Sequence, residues 1–114
     1  YGHLYCFYYG YEVYCMQKAY FEWNDLKNRI NQRKRGISFS EAQLAFLDPN
    51  RVIAQDLEHA NLNETRYYCF GKVRQNILTV RFTYRNNKIR IFGAGYWRKG
   101  RKIYEKENKK RTDG

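Results

Sequence analysis

The chain has 114 residues, with 22 Lys and Arg against 11 Asp and Glu, for a net charge of +11 at pH 7; the length suits one domain and the charge points to a polyanionic partner. Hydrophobic residues make up 43% and aromatic residues 18% of the chain, which excludes wholesale disorder, and no run approaches the roughly 18 apolar residues that would suggest a membrane helix. Cys6, Cys15 and Cys69 are odd in number and form no Cys-x-x-Cys pair, so neither a disulfide framework nor a zinc knuckle is supported; a reducing cytoplasm is the expected compartment.

Residues 1–15 (YGHLYCFYYGYEVYC) hold six of the twelve tyrosines, no Lys or Arg, and Glu12 as the one formal charge. Met16 is the only methionine. The expected organisation is therefore a foreign-looking leader over 1–15, a domain over 16–105, and a basic tail over 106–114 that frays. The alternative for the leader is an edge strand, because tyrosine favours β structure. No role is assigned to His3.

Residues 20–23 (YFEW) predict a short strand. Asn24 or Asp25 can cap a helix over 25–35, with Leu26 and Ile30 facing inward and Gly36 at the C-terminal stop. Ser38-Phe39-Ser40-Glu41 is a capping box that opens a second helix, and Phe39, Ala42, Ala45 and Phe46 form its apolar stripe. Asp48-Pro49-Asn50 ends it. Strands are predicted over 51–56, 66–73, 77–84 and 88–94, with a polar turn over 58–64 containing His59 and short turns at 74–76 and 85–87. Leu78, Val80 and Phe82 share one face of their strand, and Ile77, Thr79, Arg81 and Thr83 share the other. Cys69 is expected to be a small buried hydrophobe. Residues 96–111 predict a basic helical segment with Trp97 and Tyr104 on one side, although Gly100 weakens it. The fold class is α+β: two N-terminal helices on a mostly antiparallel, twisted sheet, followed by the basic C-terminal helical segment.

The sequence has no phosphate-binding glycine loop, no dinucleotide motif, no HExxH and no G-x-S-x-G. With only His3 and His59, a multi-histidine metal site is excluded, and no cofactor is expected. Arginine suits a phosphate ligand because its planar fork binds two oxygens. Arg66, Arg81 and Arg90 lie on successive strands and can converge. RNA cleavage needs a proton taken from the 2′-hydroxyl, charge stabilisation at phosphorus, and a proton given to the leaving oxygen. Tyr104, Lys27, Glu64 and His59 are candidates for moving protons. Basic groups interleaved with aromatics suit passive RNA binding equally.

Several short motifs then fall into one order: Phe21-Glu22-Trp23-Asn24 with Lys27, Asn31, Lys34-Arg35-Gly36-Ile37-Ser38-Phe39, Glu41-Ala42, Asp48-Pro49, Asp56, His59, Glu64-Thr65-Arg66-Tyr67, Gly71, Leu78-Thr79-Val80, Thr83, Ile89-Arg90-Ile91, Ala94 and Tyr104-Glu105. In this order and spacing the chain resembles the BrnT family of bacterial toxins. The resemblance implies a RelE-like fold and an endoribonuclease of a type II toxin–antitoxin system that slows translation and growth. It also implies a BrnA-like ribbon–helix–helix antitoxin, a heterotetramer, and contact with promoter DNA only through that antitoxin. The substrate would be RNA, including mRNA on the ribosome, with no membrane partner. An acidic antitoxin surface over the RNA face would balance the charge of the toxin.

On this reading Arg66, Arg81 and Arg90 stabilise the phosphate. His59 or Glu64 is the base and Tyr104 the acid, without metal. Lys27, Arg33, Lys34, Arg35, Arg98 and Arg101 hold the RNA. The chain departs from the family pattern at Arg35, where histidine is usual, at Gly95, where arginine is usual, and at Arg101, where an acidic residue is usual. Arg98 or Arg101 is the expected substitute for the arginine absent at Gly95. The rival reading is an inactive homologue that binds an antitoxin or RNA.

Overall fold

The computed structural model describes the backbone of residues 2–3, 6–9, 12–15, 19–61 and 63–113, and the side chains of 21–58 and 63–113. Strands β1 (Gly2–His3), β2 (Cys6–Tyr9), β3 (Glu12–Cys15) and β4 (Ala19–Trp23) precede helix α1 (Asp25–Arg35). A single helical turn, α2 (Phe39–Ala42), runs into a 3-10 helix over Gln43–Leu47. Strands β5 (Val52–Asn61), β6 (Glu64–Val73), β7 (Asn76–Arg85) and β8 (Lys88–Gly95) follow, and helix α3 (Arg98–Asp113) closes the chain. The main sheet has the order β1-β4-β8-β7-β6-β5. It is antiparallel except where β4 runs parallel to β8, which makes the fold α+β. β2 and β3 pair separately. The side chains of the proposed leader, with His3, lie outside the described residues.

Local chemistry explains most boundaries. Asn24 caps α1 by accepting from Lys27 N at 3.0 Å, and Gly36 ends it at φ +72°, a backbone that glycine adopts without steric cost. Ser38 Oγ accepts from Glu41 N at 3.0 Å, so the expected cap of α2 forms. Arg74-Gln75 and Asn86-Asn87 all have positive φ, the geometry of two-residue hairpin turns that match strand twist.

The main core lies on one face of the sheet. Phe39, Ala42, Ala45 and Phe46 pack on Cys69, Leu78, Val80, Phe82 and Ile91. Phe46 meets Phe82 edge-on at 5.1 Å and Phe21 at 5.2 Å. Cys69 is fully buried, and desolvation pushes its thiol up to about 12, so it packs as a hydrophobe.

Two expectations need correction. Leu26 and Ile30 do not face inward: they are 62% and 40% exposed. The helix α1 reaches the sheet through Asn31, whose carboxamide accepts from Ala94 N at 3.2 Å and donates to Ala94 O at 3.0 Å. That exchange does for β8 what a neighbouring strand would do, beyond the point where β4 has ended. Secondly, β5 continues through 58–61 instead of turning after 56, because the hairpin to β6 is tighter than its polar composition suggests. Residues 106–113, the expected basic tail, are helical in the structure. They continue α3, and the Arg111 guanidinium donates to Asn50 O and Arg51 O at 3.1 and 3.2 Å.

α3 packs on the opposite face of the sheet, where Tyr104 and Ile103 meet Val52 and Phe70. Gly100 permits this. A Cβ there would strike the Thr79 hydroxyl and the Phe70 ring. The glycine that weakened the helix prediction is the contact that seats the helix.

Candidate functional site

The α3 face of the sheet carries the arginines. In register, Arg66 and Arg90 stand on either side of Thr83 on β7. Arg81 lies two residues before Thr83, so strand alternation gives it the same face. β8 bulges here: Arg81 pairs with Gly93 and Phe82 with Ile91, leaving Phe92 as the extra residue. The Phe92 ring then receives the Arg66 guanidinium at 4.9 Å and the Arg81 guanidinium at 5.1 Å, a cation–π arrangement that holds both forks. The three expected arginines are thus brought onto one face.

Their charges are not equally available. Arg90 Nη1 lies 3.4 Å from Glu22 Oε1, and Arg66 Nε lies 3.5 Å from Glu64 Oε2. Glu64 also accepts from Arg85 Nη2 at 3.0 Å. Among the described residues Arg81 has no ion-pair partner, and its guanidinium rests on the Phe92 ring.

Two hollows meet at Arg81. The larger, about 570 Å³, lies between the sheet and the start of α3 and is floored by Tyr68, Phe70, Thr79 and Ile103. The smaller, about 270 Å³, lies between α1 and β8 and carries Lys27, Lys34 and Arg35. Both are lined by Arg81 and Trp97, so they form one groove. Arg98 and Lys99 border the larger part, and among the described residues no Asp or Glu lines either part. The Trp97 indole lies against Gly95, where a Cβ would come within 2.8 Å of the ring. The Arg35 guanidinium covers the same ring at 5.1 Å.

Tyr68 hydrogen-bonds Asp56 at this site; burial first, and then that carboxylate, raises the phenol above its ordinary range. Asp56 is itself 3% exposed, faces Arg66 across the strand pair, and accepts from Glu58 N at 3.1 Å.

Of the expected RNA contacts, Lys27, Lys34, Arg35 and Arg98 line the groove. Arg33 is exposed on α1 but does not line either hollow, and Arg101 pairs with Glu105 at 3.5 Å along α3. Tyr104 is 9% exposed and donates to Asp48 Oδ2 at 2.6 Å. It packs beside Phe70, four residues along β6 from Arg66, about 13 Å at the strand rise. The side chain of His59 lies outside the described residues. Phe92, Trp97, Lys99, Tyr68 and Asp56 were not expected at the site. An acid inside a predicted strand was a usable signal for Asp56, whereas the bulge that presents Phe92 leaves no trace in the alternation.

Among the described residues no group of three His, Cys, Asp or Glu gathers to hold a metal ion, and no helix is long and apolar enough to cross a membrane. Residues 23–100 match the family of BrnT ribonuclease toxins of type II toxin–antitoxin systems. The chain belongs to the BrnT toxin family. The match covers more than half of the chain and contains all six groove cations, from Lys27 to Lys99. BrnT membership implies a ribonuclease toxin, an RNA substrate and an antitoxin partner. A search of curated proteins found no match.

Proposed function

We propose that this BrnT chain cuts RNA in the cytoplasm without a metal ion, with the strand lying in the groove centred on Arg81. The observation that carries this reading is the position of Arg81: stacked on Phe92, without an ion-pair partner among the described residues, at the junction of two hollows lined by cations. A preorganised guanidinium stabilises charge that develops on a phosphoryl oxygen without reorganisation during the reaction. In the proposed step the 2′-oxygen attacks phosphorus and the bond to the 5′-oxygen breaks. This leaves a 2′,3′-cyclic phosphate and a 5′-hydroxyl. Arg81 binds the reacting phosphate, with Arg66 and Arg90 beside it. One group takes the 2′ proton and returns it to the 5′-oxygen. Glu64, beside Arg66, and His59 are the two candidates for that shuttle, while the Tyr104 proton is committed to Asp48.

The partner proposed is a BrnA-like ribbon–helix–helix antitoxin with an acidic surface that covers the groove and carries the toxin to its promoter as a heterotetramer. The test is cleavage of a single-stranded RNA by purified protein with and without EDTA. Arg81→Ala should cut roughly 10²–10³-fold more slowly at unchanged thermal stability, and EDTA should have no effect. Cleavage by Arg81→Ala at the wild-type rate would overturn the assignment. The second reading, a protein that binds without cutting, draws on the carboxylates already facing Arg66 and Arg90. It expects tight RNA binding by the wild type and no cleavage.

A further inference from the structure

The two parts of the groove differ in chemistry. The smaller hollow has Lys27, Lys34 and Arg35 along its wall and suits a backbone phosphate. The larger hollow has cations only at its border. Its floor is aromatic and aliphatic: Tyr68 and Phe70 lie nearly parallel with centroids 5.7 Å apart, and Ile103 and Trp97 complete the walls. A phosphodiester gains nothing from such a floor, whereas the flat apolar face of a nucleobase does. The cationic border, with no carboxylate among the described lining residues, makes the hollow complementary to a base that arrives on a polyanionic strand.

We infer that the hollow beneath the start of α3 binds one unpaired base of the RNA, next to a phosphate held at Arg81, so that Ile103, Tyr68 and Trp97 set which base is accepted. This deepens the reading of the groove as an RNA site and rests on it. The shared lining fixes the geometry: Arg81 and Trp97 belong to both hollows, so one nucleotide spans the junction with its phosphate on one side and its base on the other. Trp97 is then a partition whose outer side already holds Arg35.

The test changes the RNA before the protein. The full chain is titrated by fluorescence anisotropy with a short single-stranded 2′-O-methyl RNA, which cannot be cut, and with copies carrying one abasic nucleotide at each position in turn. One position should lose affinity on the order of tenfold, the scale of base–aromatic stacking, and the others far less. Ile103→Trp, which fills the hollow, should reproduce that loss on the intact strand and add nothing on the sensitive abasic one. Ile103→Ala is the second variant should the larger side chain disturb the fold by circular dichroism, and it should change the base preferred at that position. A flat abasic scan with tight, salt-sensitive binding would overturn the base pocket alone. An Ile103→Trp protein that binds RNA normally but loses its antitoxin would overturn it in favour of a protein side chain. No salt-sensitive RNA binding by the wild type would overturn the groove and the pocket together.

Discussion

At the scale of single residues, Arg35 and Gly95 are coupled through the Trp97 ring. Gly95 lacks the Cβ that would press on the Trp97 ring, and that ring is the surface on which Arg35 rests. Arg35 thus reaches from α1 to the residue that precedes α3 and joins Lys27 and Lys34 along the smaller hollow. Gly95→Ala tests this. Its backbone lies outside the positive-φ region, so the added methyl acts only through contact. It should push the indole off the sheet at a cost of about 1–3 kcal/mol, the usual range for overpacking. Tryptophan emission should shift towards that of exposed indole, and RNA affinity should fall because Arg35 loses its support. Unchanged emission and affinity would mean that the ring is not held by this contact. None of this was legible beforehand: Arg35 and Gly95 stand sixty residues apart in sequence, and each alone reads as a lost functional group.

At the scale of elements, α3 shows what local pattern can and cannot reveal. Its helical character was legible, as were the caps of α1 and α2, because these depend on residues within a few positions of each other. Its docking was not. It depends on Gly100 meeting Thr79 and on Tyr104 finding Asp48 across the chain. The inward face of α1 was misread for the same reason: its tie to β8 is the Asn31 carboxamide, not an apolar stripe. The Tyr104–Asp48 bond gives a measurable consequence. Burial and then the bond to Asp48 push the Tyr104 phenol up to about 12. Burial alone would raise the Asp48 carboxyl, but hydrogen bonds from Tyr104, Lys72 N and Asn50 N outweigh it and hold the group below the usual carboxylate range. A raised phenol stabilises the fold below its ordinary pKa and stops doing so as pH rises through about 12. A lowered carboxyl stabilises the fold above its ordinary pKa and stops doing so as pH falls through its folded value. Tyr104→Phe should therefore cost about 1.5–3 kcal/mol, the range for a hydrogen bond to a charged group. That deficit should stay flat between about pH 5 and 9 and narrow on both sides. Urea unfolding of the two proteins across pH measures it, and a deficit that grows towards acid would contradict the assignment of the bond.

At the scale of the whole molecule, the charge of +11 matters less than its placement. Much of it is dispersed: Arg90, Arg66, Arg85, Arg101 and Lys110 each face a carboxylate. The six groove cations, Lys27, Lys34, Arg35, Arg81, Arg98 and Lys99, line a surface without one among the described residues. Composition alone announced a polyanionic partner, but it could not separate charge that is paired from charge that waits, since pairing is a property of the folded surface. The separation has a thermodynamic signature. Binding a single strand releases about 0.7 counterion per neutralised phosphate. If each groove cation meets one phosphate, the logarithm of the association constant should fall with the logarithm of salt at a slope near −4. Raising salt from about 50 to 200 mM should then weaken RNA binding on the order of 10²-fold. Lys34→Gln should reduce the slope by about 0.7, because it removes one groove contact. Arg101→Gln should leave the slope unchanged, because that guanidinium lies outside the groove and faces Glu105. Equal slopes for the two variants would mean that the strand follows α3 outside the groove, and a slope well beyond −4 would mean that dispersed surface charge, not the line centred on Arg81, holds the RNA.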